Sequence, residues 1–440
     1  MAVDAAAVTD RPEPRPTRAV PVENAPPSRR IEGLDGLRAL AVLAVLVYHL
    51  RPASLPGGFL GVDVFFVVSG FLITTLLLRE VADRGRLDLT RFWVRRARRL
   101  LPALVAVVVL TVPVAWAAST DLLVGIGRQV LGALTFSTNW LEVAAGSSYF
   151  ARTSPQLFVN FWSLAVEEQF YLLWPLVLAA LLALTRTSRQ RVRLTLTVAA
   201  LSALAMAVLT TPGEDATRAY YGTDTHLFGL MIGAALAFAW AAPGRGFLGS
   251  PAWQRWRGPL TATAAAALLL LMLTLREDLT ATFRGGILLA SVLTAVLVAG
   301  LLDRPSAYRA ALQAPVLEWV GRRSYGIYLW HWPVICILAA LVPTADDSAG
   351  HWTVRGAAVV VTVVVAAGSF RWLEEPIRRH GFRSAGRAVV TALAGPGRRP
   401  VQVALGAVGV VVLLAGVAIT QAPEKSATQL QIEAGQQRVA

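Results

Sequence analysis

The stretch GLRALAVLAVLVYHLRP, Gly36–Pro52, decides how the rest of the chain is read. It is a run of Ala, Val and Leu with Arg38 near one end and His49 near the other. Apolar blocks of this kind, about 17 to 24 residues long, recur along the 440-residue chain with short charged joints between them, the length a helix needs to cross a bilayer core. Only 15% of the residues are charged, 55% are apolar, and the mean hydropathy is +0.56. A soluble globule carries about 25% charged residues, so this chain cannot solvate a surface of its own size. The fold class is all-α, a polytopic transmembrane helical bundle of about ten spans plus one at the C-terminal end.

The net charge of +14 and a pI of about 11.0 raise the question of nucleic acid. The cations sit in the joints between apolar blocks rather than on one face, which is the pattern of loop charges on a membrane protein and argues against nucleic-acid binding. Cys336 is the single cysteine, leaving no internal disulfide and no cysteine-based metal site. Residues 1–30 are rich in Pro, Ala and charge and read as a disordered cytoplasmic tail. No small-residue cleavage site follows His49, so the first apolar block is expected to be retained as a helix.

The positive-inside rule sets the expected path. Arg29, Arg30 and Arg38 hold the N-terminus in the cytoplasm, and span one covers about 36–51. Span two, about 62–79, returns to a joint dense in arginine from Arg79 to Arg99, and span three covers about 100–117. The block at about 122–143 carries Gly125, Arg128, Gln129, Ser137 and Asn139, poor material to face lipid. Counting it as a crossing would also place Arg186 to Arg193 outside, so it is read as re-entrant or otherwise not crossing. Further spans fall at about 161–184, 194–211, 226–242, 259–275, 285–302, 325–342, 353–373 and 401–421. Eleven crossings make a multi-pass plasma-membrane protein with the C-terminus outside and a short polar tail over 422–440.

Ionisable groups at membrane depth are costly and point to a bundle interior or a watery cavity. Arg38 and His49, eleven positions apart, fall on one helix face about 16 Å apart along the axis. Spacing alone divides evenly between two polar helix ends and a functional pair lining one cavity, with Arg38 near the mouth for an anion and His49 deeper as a base. GGFLGVDVFFVVSGFLI (Gly57–Ile73) adds Asp63 and Ser69 to span two. RFWVRRARRLLP (Arg91–Pro102) holds two overlapping RxxR pairs, Arg95/Arg98 and Arg96/Arg99, which serve either as inner-surface charge or as donors to a phosphate-bearing ligand. NFWSLAVEEQFYLLWP (Asn160–Pro175) brings Glu167 and Glu168 two turns into a span, with Trp162, Tyr171 and Trp174 as interface anchors on the plainer reading. RRSYGIYLWHWPV (Arg322–Val334) sets His331 among Tyr325, Tyr328 and Trp330, while Asp224 and His226 open the span at 226.

Taken together, these segments resemble the acyltransferase-3 family of integral membrane acyltransferases. Six blocks match in the family's order between about 34 and 380: LDGLRALAVLAVLVYH, GGFLGVDVFFVVSGFLI, FWVRRARRLLP, FWSLAVEEQFYLLWP, RRSYGIYLWHWP and FRWLEEPIRR. The resemblance implies a membrane domain over 31–385, followed by a linker and an extra helix over 386–421. It implies transfer of an acyl group, often acetyl, from cytoplasmic acyl-CoA to an acceptor such as a carbohydrate or lipid-linked glycan of the envelope, or in some members an antibiotic. The family's Arg-x10-His motif falls on Arg38 and His49, its RxxR motif on Arg95 to Arg99 with Arg96/Arg99 the preferred register, and its glutamate on Glu167.

In that scheme acyl-CoA, with acetyl-CoA first in line, docks against Arg96 and Arg99 with Arg95 and Arg98 as the other register. His49 is the base or a brief acyl carrier, and Glu167 or Glu168 orients a partner or accepts a proton. Asp63, Ser69, Tyr328 and His331 are further candidates, and no metal or permanently bound cofactor is expected. Two departures stand out. Many relatives continue into an extracytoplasmic SGNH esterase-like domain where this chain ends about 19 residues after its last span, which leaves final transfer to a separate extracytoplasmic protein or to the membrane domain. The position of His226 is often Arg in relatives. Acylation of a secondary metabolite such as a macrolide is the alternative within the class. A transporter is the alternative outside it, against which stands the lack of an evident internal repeat.

Overall fold

The computed structural model describes residues 31–149, 156–302, 304–345, 348–395, 398–427 and 429–431, so the tail expected over 1–30 lies outside the described residues. Among the described residues there is no strand. The chain begins with α1 (Leu34–Leu50), α2 (Gly61–Arg84) and α3 (Leu89–Ala118), then two short helices, α4 (Ile126–Thr135) and α5 (Thr138–Ala144). It continues through α6 (Phe161–Leu184), α7 (Ser188–Leu209), the short α8 (Thr217–Tyr221) and α9 (Thr223–His226), and α10 (Phe228–Trp240). The second half holds α11 (Pro251–Thr274), α12 (Ile287–Leu301), α13 (Ala307–Leu312), α14 (Pro315–Leu341) and α15 (Ala349–Ser369). It ends with α16 (Glu375–His380), α17 (Phe382–Ala394) and α18 (Arg398–Thr420).

Nine helical runs among the described residues are long and apolar enough to cross a membrane. With the 17-residue α1 and the 13-residue α10 they fall on the eleven spans expected from the apolar blocks. The block at 122–143 forms no continuous helix. It breaks into α4 and α5, of 10 and 7 residues, at Phe136, whose φ of 54° is left-handed. Neither piece approaches the roughly 20 residues a crossing needs.

Several helices start before the expected spans, α14 at Pro315 rather than about 325 and α11 at Pro251 rather than about 259, and two joints change in kind. The arginine-dense joint shrinks to the residues between Arg84 and Leu89, because the Asp88 side chain accepts from Arg91 N (2.9 Å) and starts α3 well before the arginines. Arg95 to Arg99 therefore stand on helix, and only their stems need to cover apolar surface. The expected linker after 386 is also largely helical, with Gly381 at φ 80° separating α16 from α17.

Every residue of α10 is buried, as expected of a helix that is apolar all round and central. It packs against α2 and α7, while α1 packs against α14 and α2. At the periphery, α18 buries only Ala415 and Ala418, and α6 turns Leu172 and Leu173 outward. These apolar outer faces suit lipid. Backbone approach through small residues drives such packing in a membrane, where lipid tails are as apolar as side chains. A Cβ on Gly70 would meet Leu230 O at 1.9 Å, one on Gly233 would meet Val67 O at 2.1 Å, and one on Gly321 would meet Asp35 O at 1.8 Å.

These contacts carry a stability prediction. Gly70→Val and Gly321→Val each force helices apart and destabilise the protein by about 1–3 kcal/mol or more. Gly258→Ala, with nothing within 4 Å of the added carbon, leaves stability unchanged. Thermal melting of the detergent-purified variants measures this, and equal melting temperatures for Gly70→Val and wild type would refute it.

A second prediction comes from the turn between α11 and α12. There Glu277 accepts a hydrogen bond from the Tyr48 hydroxyl at the end of α1. Burial, and then the neighbouring Asp278, push the Glu277 carboxyl from 4.5 up to about 7. A carboxyl raised in the folded state contributes stability that is present below the unfolded value and lost as pH rises through the folded one. The melting temperature should therefore fall between pH 5 and pH 8, and Glu277→Gln should flatten that slope. The same slope in both proteins would show that Glu277 is not its source.

Candidate active site

A cavity of about 1420 Å³ opens among α1, α2, α3, α6 and α14, with the segment around Glu374 to Arg379 at its rim. Arg38, Arg96, Arg99, Glu167, Ser69 and Tyr171 line it together. Four helices contribute to this group. Glu167 on α6 accepts from Ser69 Oγ on α2 at 2.8 Å, and it lies within the Coulombic field of Arg96, Arg38 and Arg99. Arg96 lies over the Tyr171 ring at 4.2 Å, a cation–π contact that holds the guanidinium without neutralising it. Arg38 is paired with Asp35 at 3.3 Å, one turn earlier on α1. The result is a pocket richer in guanidinium than in carboxylate at its inner end, suited to an anion.

Helix geometry sorts the arginine cluster. Arg96 and Arg99 are three apart on α3 and share the cavity face, along with Arg95. Arg95 donates to Glu80 Oε2 at 2.9 Å, which offsets its charge near the rim. Arg98 is not among the lining residues; its guanidinium lies beside Gly381, 2.6 Å from where a Cβ there would sit. The same rule separates the glutamates. Glu168 is turned 100° from Glu167, does not line the cavity, and has its buried Oε1 without a hydrogen-bond partner among the described residues.

His49 occupies the last turn of α1, outside that cavity, so Arg38 and His49 do not line one space as expected of a functional pair. The physical reason is the closed end formed by α2 and α14, where the rings of Phe65 and Tyr328 lie 6.4 Å apart. Tyr328 is fixed there: its hydroxyl lies 2.6 Å from Ser163 Oγ and donates to Asn160 O at 2.9 Å. One turn further along α14, His331 lies with Nε2 3.1 Å from His49 Nδ1. The His49 ring is flanked by Tyr48, His331 and Trp332 at 5.2, 5.0 and 4.9 Å, and Trp332 Nε1 donates to Gln156 O at 2.8 Å. Arg38, Glu167, Ser69, Arg96, Arg99 and Tyr328 thus share the cavity, and His49 with His331 lies just beyond its closed end.

Asp63 stands apart from both groups. Its Oδ1 lies 2.9 Å from His226 Nε2, both side chains are fully buried, and His226 Nδ1 lies 2.7 Å from Tyr220 O. Phe66, Trp162 and Phe228 pack around that imidazole. His226 is therefore an interior partner of α2 rather than an outer-edge group, whereas Asp224 forms an exposed pair with Arg218 at 2.8 Å. Trp162, Tyr171 and Trp174 are likewise not interface anchors. All three are buried, Trp174 donating to Thr74 Oγ1 at 2.8 Å. Sequence reasoning missed Tyr171 and Ser163 as cavity residues, although each stands four residues from Glu167 and so shares its face.

The sequence model of the family described as Acyltransferase domain matches residues 31–371. YrhL of Bacillus subtilis (strain 168), named as a candidate peptidoglycan O-acetyltransferase, is 40% identical over 366 residues, 82% of this chain and 57% of YrhL. OatA of Listeria monocytogenes serovar 1/2a (strain ATCC BAA-679 / EGD-e), named peptidoglycan O-acetyltransferase, is 36% identical over 357 residues, 80% of this chain and 56% of OatA. SACOL0978 of Staphylococcus aureus (strain COL), named as a candidate O-acetyltransferase, is 34% identical over 368 residues, 81% of this chain and 58% of that protein. The chain thus spans less than two thirds of the length of each of these relatives. No solved structure matches it with significance. With the match running from the start of α1 to the end of α15, across His49, His331 and all of the cavity but its rim after residue 371, this multi-pass membrane chain belongs to the Acyltransferase domain family.

Proposed function

We propose that the chain is a membrane O-acyltransferase that moves an acetyl group from acetyl-CoA to a hydroxyl of a cell-envelope carbohydrate, with peptidoglycan the first candidate acceptor. The observation that carries this reading is the arginine-lined cavity whose lining ends on α14 at Tyr328, one turn before His331, which lies 3.1 Å from His49. The arginine-rich end of the bundle faces the cytoplasm, and the N-terminus with it. The donor's phosphates sit against Arg96 and Arg99, with Arg38 behind them, and its flexible arm runs along α1 toward His49, about 16 Å from Arg38. The acyl end reaches His49 when Phe65 and Tyr328, whose rings are in edge contact at the closed end, part. His49 takes the proton of the acceptor hydroxyl as its oxygen bonds to the thioester carbonyl carbon, and the carbon–sulfur bond then breaks and releases the thiolate. Glu167, held by Ser69, keeps the arginine cluster in place and partly balances its charge. A separate extracytoplasmic transferase is a candidate to carry the group onward to polymeric acceptor.

His49→Ala should abolish O-acetylation of wall glycans in a strain whose own copy is deleted, with the variant still inserted in the membrane. Mass spectrometry of released glycans reads the acetyl mass. Wild-type acetylation in that strain would overturn His49 as the base, and unchanged glycans in the deletion strain itself would remove the acceptor.

The arginines separate binding from chemistry. Arg96→Ala and Arg99→Ala should each raise KM for acetyl-CoA about 10-fold or more, since a hydrogen bond to a charged group is worth about 1.5–3 kcal/mol. Arg98→Ala should leave that KM near the wild-type value, because its side chain lies outside the cavity. Steady-state kinetics in reconstituted vesicles measures all three, and equal effects at Arg98 and Arg96 would count against this register.

A further inference from the structure

We infer that His331 is a positioning residue that fixes the tautomer of His49 and leaves the His49 lone pair on Nε2, an assignment that rests on His49 acting as the base. A carbonyl oxygen can only accept a hydrogen bond, so every ring nitrogen facing one carries the proton. His331 Nδ1 lies 2.6 Å from Tyr328 O and therefore bears hydrogen. In the neutral imidazole its Nε2 is then bare and accepts. The atom it faces, at 3.1 Å, is His49 Nδ1, which must donate. A second acceptor agrees: Val45 O lies 3.0 Å from the same His49 nitrogen. The opposite assignment, with His331 doubly protonated and His49 Nδ1 bare, sets a lone pair against the Val45 carbonyl oxygen and places a charge on a side chain that is 1% exposed.

Two acceptors thus converge on one N–H, and the reacting nitrogen of His49 is Nε2. A half-turn of the ring would put Cδ2 where Nδ1 stands and forfeit both of these hydrogen bonds, so Nδ1 stays on the side of Val45 O and His331. When the acceptor hydroxyl gives up its proton, that proton arrives at Nε2. The resulting imidazolium keeps its Nδ1–H directed at the His331 lone pair, which stabilises the charge as it forms. Tyr328 belongs to both groups, with its ring at the cavity's closed end and its carbonyl orienting His331. The donor pocket and the base are therefore set by one turn of α14.

The test compares variants that keep or remove an acceptor at the Nε2 position. His331→Gln places its amide oxygen close to where Nε2 lies, whereas His331→Phe keeps the ring and His331→Asn keeps only a polar group near Nδ1. In vesicles supplied with acetyl-CoA and purified wall-glycan fragments, His331→Phe should lower kcat about 10²-fold, in line with the worth of general-base assistance, with KM for acetyl-CoA unchanged. His331→Gln should recover kcat to within about 5-fold of wild type, and His331→Asn should not. Membrane yield and melting temperature verify the fold, and if His331→Phe fails to insert, the Gln and Asn variants carry the comparison. Wild-type kcat without the acceptor, equal losses in the Gln and Asn variants, or a loss carried by KM would each overturn the assignment. Activity in His49→Ala would instead overturn the base reading on which it rests.

Discussion

A charged side chain inside a bundle whose outer faces meet lipid has no bulk water to turn to, so its stability depends on the polar groups that other helices bring to it. Glu167 is the centre of that constraint here. It accepts from Ser69 and lies in the field of Arg38, Arg96 and Arg99, so α1, α2, α3 and α6 are tied to one point. Moving any of these helices by a turn would leave a carboxylate or a guanidinium facing hydrocarbon. The cavity is the geometric consequence, since a cluster of long cationic side chains cannot close-pack as Leu and Val do. An excess of positive charge within it favours an anionic occupant.

The other half of the site follows from backbone approach. Gly321 lets α14 come against the carbonyl of Asp35 on α1, and Gly61 lets α2 come against Ala41 O. With α1 held between α2 and α14, His49 meets His331 and Trp332 at one end while Arg38 enters the cavity at the other. Phe65 and Tyr328, contributed by the same two neighbours, stand between the two ends. The arginine-lined cavity and the His49–His331 pair therefore occupy opposite ends of one helix face, with an aromatic constriction between them.

Much of the fold was legible in the chain because apolar block length maps directly onto helix span, and caps such as Asp88 and the Thr187–Gln190 box mark where helices start. Part of the site was legible for a related reason. Arg-x10-His and RxxR are helical spacings, so they place side chains on common faces. What the spacing cannot carry is which neighbour a face meets. Asp63 and Ser69 lie on the same helix, six residues apart, yet one meets His226 and the other Glu167. The aromatic residues after Asn160 fit interfacial anchors by composition, and only packing shows them buried.

The sequence by itself determined the helical class, the positions of the eleven long apolar segments and the one-face relation of Arg38 to His49, because these depend on hydropathy and on 3.6 residues per turn. Tertiary structure decided that Arg96 and Arg99 rather than Arg98 line the cavity, that Glu167 rather than Glu168 joins them, and that His49 lies beyond the closed end beside His331. The reason is physical. A helix turns its residues by 100° each whatever surrounds it, whereas the direction that finds a polar partner, a void or a lipid tail is set by helices far away in the chain.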